Sequence, residues 1–271
     1  MAEQNPADKE MSFWDHLEAL RFTLIRSAIA VVILAVAAFF FKDFIYDTII
    51  LGPRKADFIT NRLFCQFGHL MNTDALCINQ REFPISNFEL AGQFRNHMFI
   101  TLVAGLVIAM PYILIEIWNF IRPALTDRER MGVRGFVFVT NFLFLIGLSF
   151  GYFIIVPLAI DFLAGYMLSD DISNVIRLGS YIRTVVMISL STGIVFELPV
   201  FIFFLAKMGI VSVKTLKKYR KHALVVFFIL AAILTPPDVI SQILVALPLI
   251  LLYEVSIRIA RNVEKKRIQE L

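Results

Sequence analysis

Between Gly135 and Ile160 the chain runs for 26 residues without one charged side chain. At 1.5 Å of rise per residue such a run makes a helix about 39 Å long, more than the roughly 30 Å hydrocarbon core of a bilayer. Met98–Ile115 is 18 residues long and equally uncharged, and Thr184–Ala206 covers 23 residues broken only by Glu197. Three runs of this kind belong in lipid, because a water-soluble core of this chain length could not cover them with polar surface. Composition agrees. Apolar residues make up 58% of the chain and charged residues 18%, with 27 Phe, against about 45–50% and about 25% in soluble domains.

Six apolar segments are read, at about 22–41, 98–117, 135–160, 184–206, 223–235 and 239–256. The expected fold class is all-α: a polytopic membrane protein of six transmembrane helices, the last two short, forming a single membrane domain over 1–271. Segment 223–235 has 13 residues, enough for only about 20 Å of helix. Fusing it with the next segment is ruled out by Leu234-Thr235-Pro236-Pro237-Asp238, where adjacent prolines stop a helix and Thr235 with Asp238 has the form of a capping box. The first 11 residues are polar and mixed in charge, with no small-residue cleavage site after the first apolar run. The first span is therefore expected to stay in the mature chain. Prolines 111, 157, 199 and 248 fall inside spans and are expected to kink them.

Orientation follows from Lys and Arg in the connecting segments. Placing both termini in the cytoplasm puts 17 of these residues inside and 8 outside. Six of the 8 are spread along the long loop 42–97, where each weighs less. That outer loop carries both cysteines, Cys65 and Cys77, and a disulfide stapling it is expected in an oxidising compartment, the alternative being two unpaired thiols. Ser86-Asn87-Phe88-Glu89 reads as a capping box that starts the second helix within this loop. Ahead of the first span, Phe13, Leu17, Leu20 and Leu24 share one helical face, the pattern of an N-terminal amphipathic helix lying in the interface, with Ser12 as its cap.

No catalytic constellation is present. His16, His69, His97 and His222 fall in separate segments without metal-ligand spacing, and neither a glycine-rich phosphate loop nor a serine paired with a base occurs. No enzyme activity, metal, cofactor or nucleic-acid partner is expected. The polar groups that need a reason are few. Glu197 lies two residues past the centre of the fourth span, Gln242 one turn into the sixth, Glu18 and Arg21 at the inner end of the first, and Glu129 in the short loop after the second. An intramembrane carboxylate is expensive and usually has a task, although a neutral glutamic acid hydrogen-bonded within the bundle is the equal alternative. Glu129 taken alone reads as a solvated loop charge beside Arg128 or Arg130.

The string Ile117-Trp118-Asn119-Phe120-Ile121-Arg122-Pro123-Ala124-Leu125, followed by Glu129-Arg130, resembles the first cytoplasmic loop of the TatC family, the polytopic subunits of the twin-arginine protein translocase. His16-Leu17-Glu18-Ala19-Leu20-Arg21, Gly151-Tyr152-Phe153 with Pro157-Leu158, Phe196-Glu197-Leu198-Pro199 and Leu234-Thr235-Pro236-Pro237-Asp238 match in the same order. The resemblance covers about residues 12–257 and implies a receptor core in the bacterial inner membrane. It would bind Arg-Arg signal peptides of folded precursors through Glu129, with Glu18, Arg21, Phe120 and Leu125 around it. It would then assemble, in several copies, with TatA- and TatB-type single-span subunits for export driven by the proton gradient. The family carries its second recognition carboxylate where this chain has Ala19, so Glu18 would act from about 100° further round the helix. Glu197 would face the concave side of the bundle, and Gln242 would lie where the partner subunits dock. The rival reading is a proton-coupled transporter of a small solute that uses Glu197, against which stands the absence of a matching broken span elsewhere.

Overall fold

The computed structural model describes residues 13–73, 76–80, 83–121, 135–169, 171, 174–207, 209–235 and 239–269. The chain forms two compact units, one of Met1–Phe41 with Met98–Asn141 and one of Lys42–His97 with Phe142–Leu271. All six apolar segments are helical. Among the described residues five helices are long and apolar enough to cross a membrane, and the remaining one, Arg220–Leu234, has 15 residues, about 22 Å.

The first unit is built on α1 (Phe13–Phe39) and most of α3 (Gly92–Ile121). No Gly or Pro interrupts α1, so the amphipathic stretch expected at the interface and the first span are one continuous helix. The two helices approach most closely at Gly105, where an added Cβ would lie 2.6 Å from the Ala35 nitrogen and 2.7 Å from the Val31 carbonyl. Backbone-to-backbone approach of this kind replaces the hydrophobic drive that lipid does not supply. Pro111 sits inside α3 without ending it.

In the second unit the long loop is folded rather than extended. It holds a wide-turn helical segment at Phe44–Ile50, a tight turn at Gly52–Arg54, and α2 (Ile59–Leu70). Its last stretch, β1 (Ile85–Ser86), pairs in parallel with β2 (Ile176–Arg177). The N-cap expected at Ser86 is not used, and α3 starts six residues later at Gly92. The reason is competition: Ser86 is taken into the strand pair, and Glu89 forms ion pairs with Arg95 and Arg177.

The loop is tied to the helices by buried polar groups. Asn61 is fully buried and donates to the carbonyls of Pro53 and Lys55 at 3.1 and 2.8 Å. Asn79, in the left-handed region at φ 53°, donates its amide side chain to the Pro157 carbonyl at 2.9 Å and its backbone N–H to Asp161 at 2.7 Å. Tyr152 and Tyr181 donate their hydroxyls to the carbonyls of Ile49 and Ile50.

The remaining helices are α4 (Phe136–Phe150), α5 (Val156–Gly165), α6 (Leu178–Val195), α7 (Leu198–Lys207), α8 (Val213–Lys218), α9 (Arg220–Leu234) and α10 (Val239–Gln269). A wide-turn stretch at Gly151–Ile155 joins α4 to α5 just before Pro157, and a turn at Phe196–Glu197 separates α6 from α7 just before Pro199. These two prolines coincide with breaks, whereas Pro248 lies within α10 as Pro111 does within α3. Small residues let α4 and α6 close up: a Cβ on Gly147 would strike Phe196, and one on Gly193 would reach the Phe144 ring at 3.0 Å. At the far end α7, α8 and α10 share a core of Ile202, Ala206, Leu216, Ile257 and Ala260. The Tyr253 hydroxyl donates to the Leu216 carbonyl there, and Glu264 accepts from the first N–H of α8 at Val213.

Candidate functional site

The end of the first unit holds three of the expected recognition residues. His16 stacks on Phe120 with ring centroids 4.3 Å apart, which pins the start of α1 to the end of α3. Glu18 lies two residues, about 200°, round the helix from His16. It is therefore on the side of α1 away from Phe120, while Ala19, about 60° from His16, lies nearer to it. Glu18 and Arg21 are exposed, and neither forms an ion pair with a described residue. Leu125 and Glu129 lie outside the described residues, as do Ser12 and Asp238.

The face that carries Glu18 and Arg21 continues along α1 as an apolar stripe. Phe22, Ile25, Ile29, Val32 and Val36 follow at helical spacing, and all are exposed, as are Leu24 and Ile33 on the flanking faces. Among the described residues this is a carboxylate at one end of an open hydrophobic track about 27 Å long over 18 residues.

Glu197 occupies the turn between α6 and α7. Its N–H donates to the Ile194 carbonyl and its own carbonyl accepts from Phe201, so the backbone is satisfied across the break. Both carboxylate oxygens are buried and meet no side-chain hydrogen-bond partner among the described residues, the Phe144 backbone being the polar group beside them. Gln242 is engaged inside the chain: its side-chain amide donates to the Phe228 carbonyl at 3.1 Å, joining α10 to α9. Thr235 also turns inward, donating its hydroxyl to the Ala231 carbonyl and closing α9.

Cys65 and Cys77 are joined by a disulfide. His69 lies against it, Nε2 standing 3.7 Å from Cys65 Sγ and 3.8 Å from Cys77 Sγ.

The sequence matches the family described as Sec-independent protein translocase protein (TatC) over residues 15–248. The chain belongs to the TatC family. It is 40% identical over 260 residues to the TatC protein of Blattabacterium sp. subsp. Periplaneta americana, covering 95% of this chain and 98% of that one. To the TatC protein of Carboxydothermus hydrogenoformans it is 38% identical over 260 residues, with 96% of each chain covered. A crystal structure described as the twin arginine translocase receptor TatC superposes with a TM-score of 0.68 at 30% identity, covering 92% of this chain and 99% of that one. A second, in the detergent DDM, gives a TM-score of 0.70 with 90% and 99% covered. This chain is thus a multi-pass membrane protein of a protein-transport family, whose members are described as Sec-independent protein translocase proteins.

Two features of this TatC-family chain escaped sequence reasoning. Arg26 inside the first apolar segment and Glu116 at the end of the second form an ion pair at 3.8 Å, and the readable signal was one cation and one anion interrupting neighbouring spans. His69 and Cys65, read separately, are four residues apart on α2, a spacing that puts two side chains on one helical face.

Proposed function

We propose that this chain is the receptor core of a twin-arginine translocase, binding the Arg-Arg signal peptides of folded precursors at its cytoplasmic face. The observation that carries the reading is Glu18, unpaired among the described residues, at the head of the exposed stripe Phe22–Val36. A signal peptide offers charge first and an apolar stretch after it, the same order in which α1 offers a carboxylate and then a hydrophobic track. Guanidinium groups pair with carboxylates in planar, two-point fashion. Glu129 is the main acceptor in this reading and Glu18 the second. Phe120, stacked on His16, anchors the start of α1 on the face opposite Glu18, and this reading assigns Leu125 and Arg21 to the site as further contacts. Membership in the family and the likeness to proteins described as twin-arginine translocase receptors support the assignment.

In this reading the chain works as one domain in the bacterial inner membrane with both termini in the cytoplasm, in several copies per complex. Single-span subunits of the TatA and TatB type dock beside the short spans near Gln242. The buried carboxylate of Glu197 favours the rival proton-coupled transporter. Against that rival, no described side chain stands within hydrogen-bonding reach of the carboxylate to pass a proton on. The deciding experiment measures binding of an Arg-Arg signal peptide and its Lys-Lys counterpart to purified protein, repeated with Glu129→Ala and Glu18→Ala. The receptor reading requires Arg-Arg to bind tighter and Glu129→Ala to erase the difference; equal binding of both peptides by the unaltered chain counts against it.

A further inference from the structure

We infer that Cys65, His69 and Cys77 form a redox-gated site for a borderline transition-metal ion, zinc(II) above all, which opens when the disulfide is reduced. The three donor atoms lie within 4.8 Å of one another. Two come from consecutive turns of α2, since Cys65 and His69 stand four residues apart. The third is delivered by the chain reversal that follows. Met71 and Thr73 donate back to the Gly68 carbonyl, and Asn72 takes up the left-handed region at φ 53°. The returning chain then passes so close over the helix that a Cβ on Gly68 would lie 2.6 Å from the Thr73 carbonyl and 3.2 Å from Leu76. Glycine at 68 is what lets Cys77 come down beside Cys65 and His69.

The spacing suits tetrahedral zinc. With Zn–S about 2.3 Å and Zn–N about 2.0–2.1 Å, neighbouring sulfur and nitrogen ligands stand about 3.6 Å apart and neighbouring sulfurs about 3.8 Å. The two sulfur-to-Nε2 distances, 3.7 and 3.8 Å, are already near that value. Only the sulfurs must separate, and they do so when their bond is broken. A dithiol reductant supplies two electrons and two protons, the S–S bond becomes two thiols, and the reductant becomes a disulfide. Zinc then displaces both thiol protons and binds two thiolates and the neutral imidazole, leaving the fourth position to water. In the oxidised chain the sulfurs are bonded to each other and carry no charge, so the same three residues hold no cation. His69 is exposed and both cysteines are partly so, which gives reductant and ion direct access. The inference is independent of the receptor reading, because it concerns a loop that reading does not use.

The test uses the full chain in detergent, with cobalt(II) as the optical probe. After reduction by a phosphine and removal of the reductant under argon, one cobalt per chain is expected to bind with a thiolate-to-metal charge-transfer band, and zinc is expected to displace it. The oxidised chain should show no band. Cys65→Ser should abolish it, and His69→Ala should weaken binding by about tenfold or more, because one of three ligands is gone. His69→Ala replaces an exposed side chain, and an unchanged helical circular dichroism spectrum shows that it folds. A reduced chain without the band, or a His69→Ala chain that binds cobalt as tightly as the unaltered one, overturns the inference.

Discussion

Arg26 and Glu116 face each other across α1 and α3 at 3.8 Å, with the Glu116 side chain only 10% exposed and that of Arg26 63% exposed. Tyr112, one turn before Glu116, lies beside the same carboxylate. Glu116 is shielded while Arg26 is open on one side, so the chief cost of breaking the pair is the nearly buried carboxylate left without its counter-ion. Arg26→Leu and Glu116→Leu are each expected to destabilise the protein by about 1–2 kcal/mol, while the double replacement recovers most of the loss. Thermal unfolding of the three variants in detergent decides it. Additive losses would mean that the two side chains do not depend on each other.

The approach of α1 to α3 at Gly105 gives a second prediction. The atoms nearest an added Cβ are backbone atoms of Val31 and Ala35, which cannot swing aside as a flexible side chain would. Gly105→Ala is expected to cost about 1–3 kcal/mol by forcing the helices apart. Gly165, at the end of α5, is the control: a Cβ added there would meet nothing within 4 Å, and Gly165→Ala should leave stability within about 0.5 kcal/mol. Equal melting temperatures for the two variants would contradict the close crossing.

Buried amides hold the long loop in place. Asn79 combines two functions, a left-handed backbone and hydrogen bonds to Pro157, to Asp161 and, at 3.4 Å, to Asn61. Asn79→Gly keeps the backbone with its N–H bond to Asp161 and removes the side chain, so its expected cost of about 1–3 kcal/mol reports the lost bonds to Pro157 and Asn61 and the acceptors they leave behind. Asn79→Ala should cost more, because alanine adds the strain of positive φ. Limited proteolysis of loop 42–97 should accelerate in the same order, and an Asn79→Ala chain no weaker than Asn79→Gly would show that the backbone conformation does not matter.

How far the sequence foretold this molecule depends on the range of the interaction concerned. The six helices were legible because lipid imposes one long-range rule on every span, and uncharged length reports it directly, as in Gly135–Ile160. Which prolines break a helix was not legible: Pro157 and Pro199 adjoin interruptions, whereas Pro111 and Pro248 are carried inside continuous helices. Neighbouring helices settle that question, and they are invisible in a local window. The capping box at Ser86 failed for the same reason, since a partner 91 residues away, Arg177, draws both Ser86 and Glu89 into other bonds. Within the candidate site, residue identity was legible and direction was not. Glu18 was named from its position, but only the stacking of His16 on Phe120 fixes the rotation of α1.

Glu197 separates stability from task more sharply than any other described residue. Gln242 has a partner in the Phe228 carbonyl, so Gln242→Leu should cost a modest amount, about 0.5–1 kcal/mol. Both oxygens of the Glu197 carboxylate are buried, with no side-chain partner among the described residues and only the Phe144 backbone beside them, a burden that folding alone gives little reason to keep. Glu197→Leu removes it while leaving the backbone bonds of the turn, from Glu197 to Ile194 and from Phe201 to Glu197, in place. The variant is therefore expected to be as stable as the parent or more so, by up to about 2 kcal/mol, and to export a folded reporter less well. Thermal unfolding and reporter export measured on the same preparations give both halves. A clear loss of stability would show that the carboxylate has a structural partner and serves the fold.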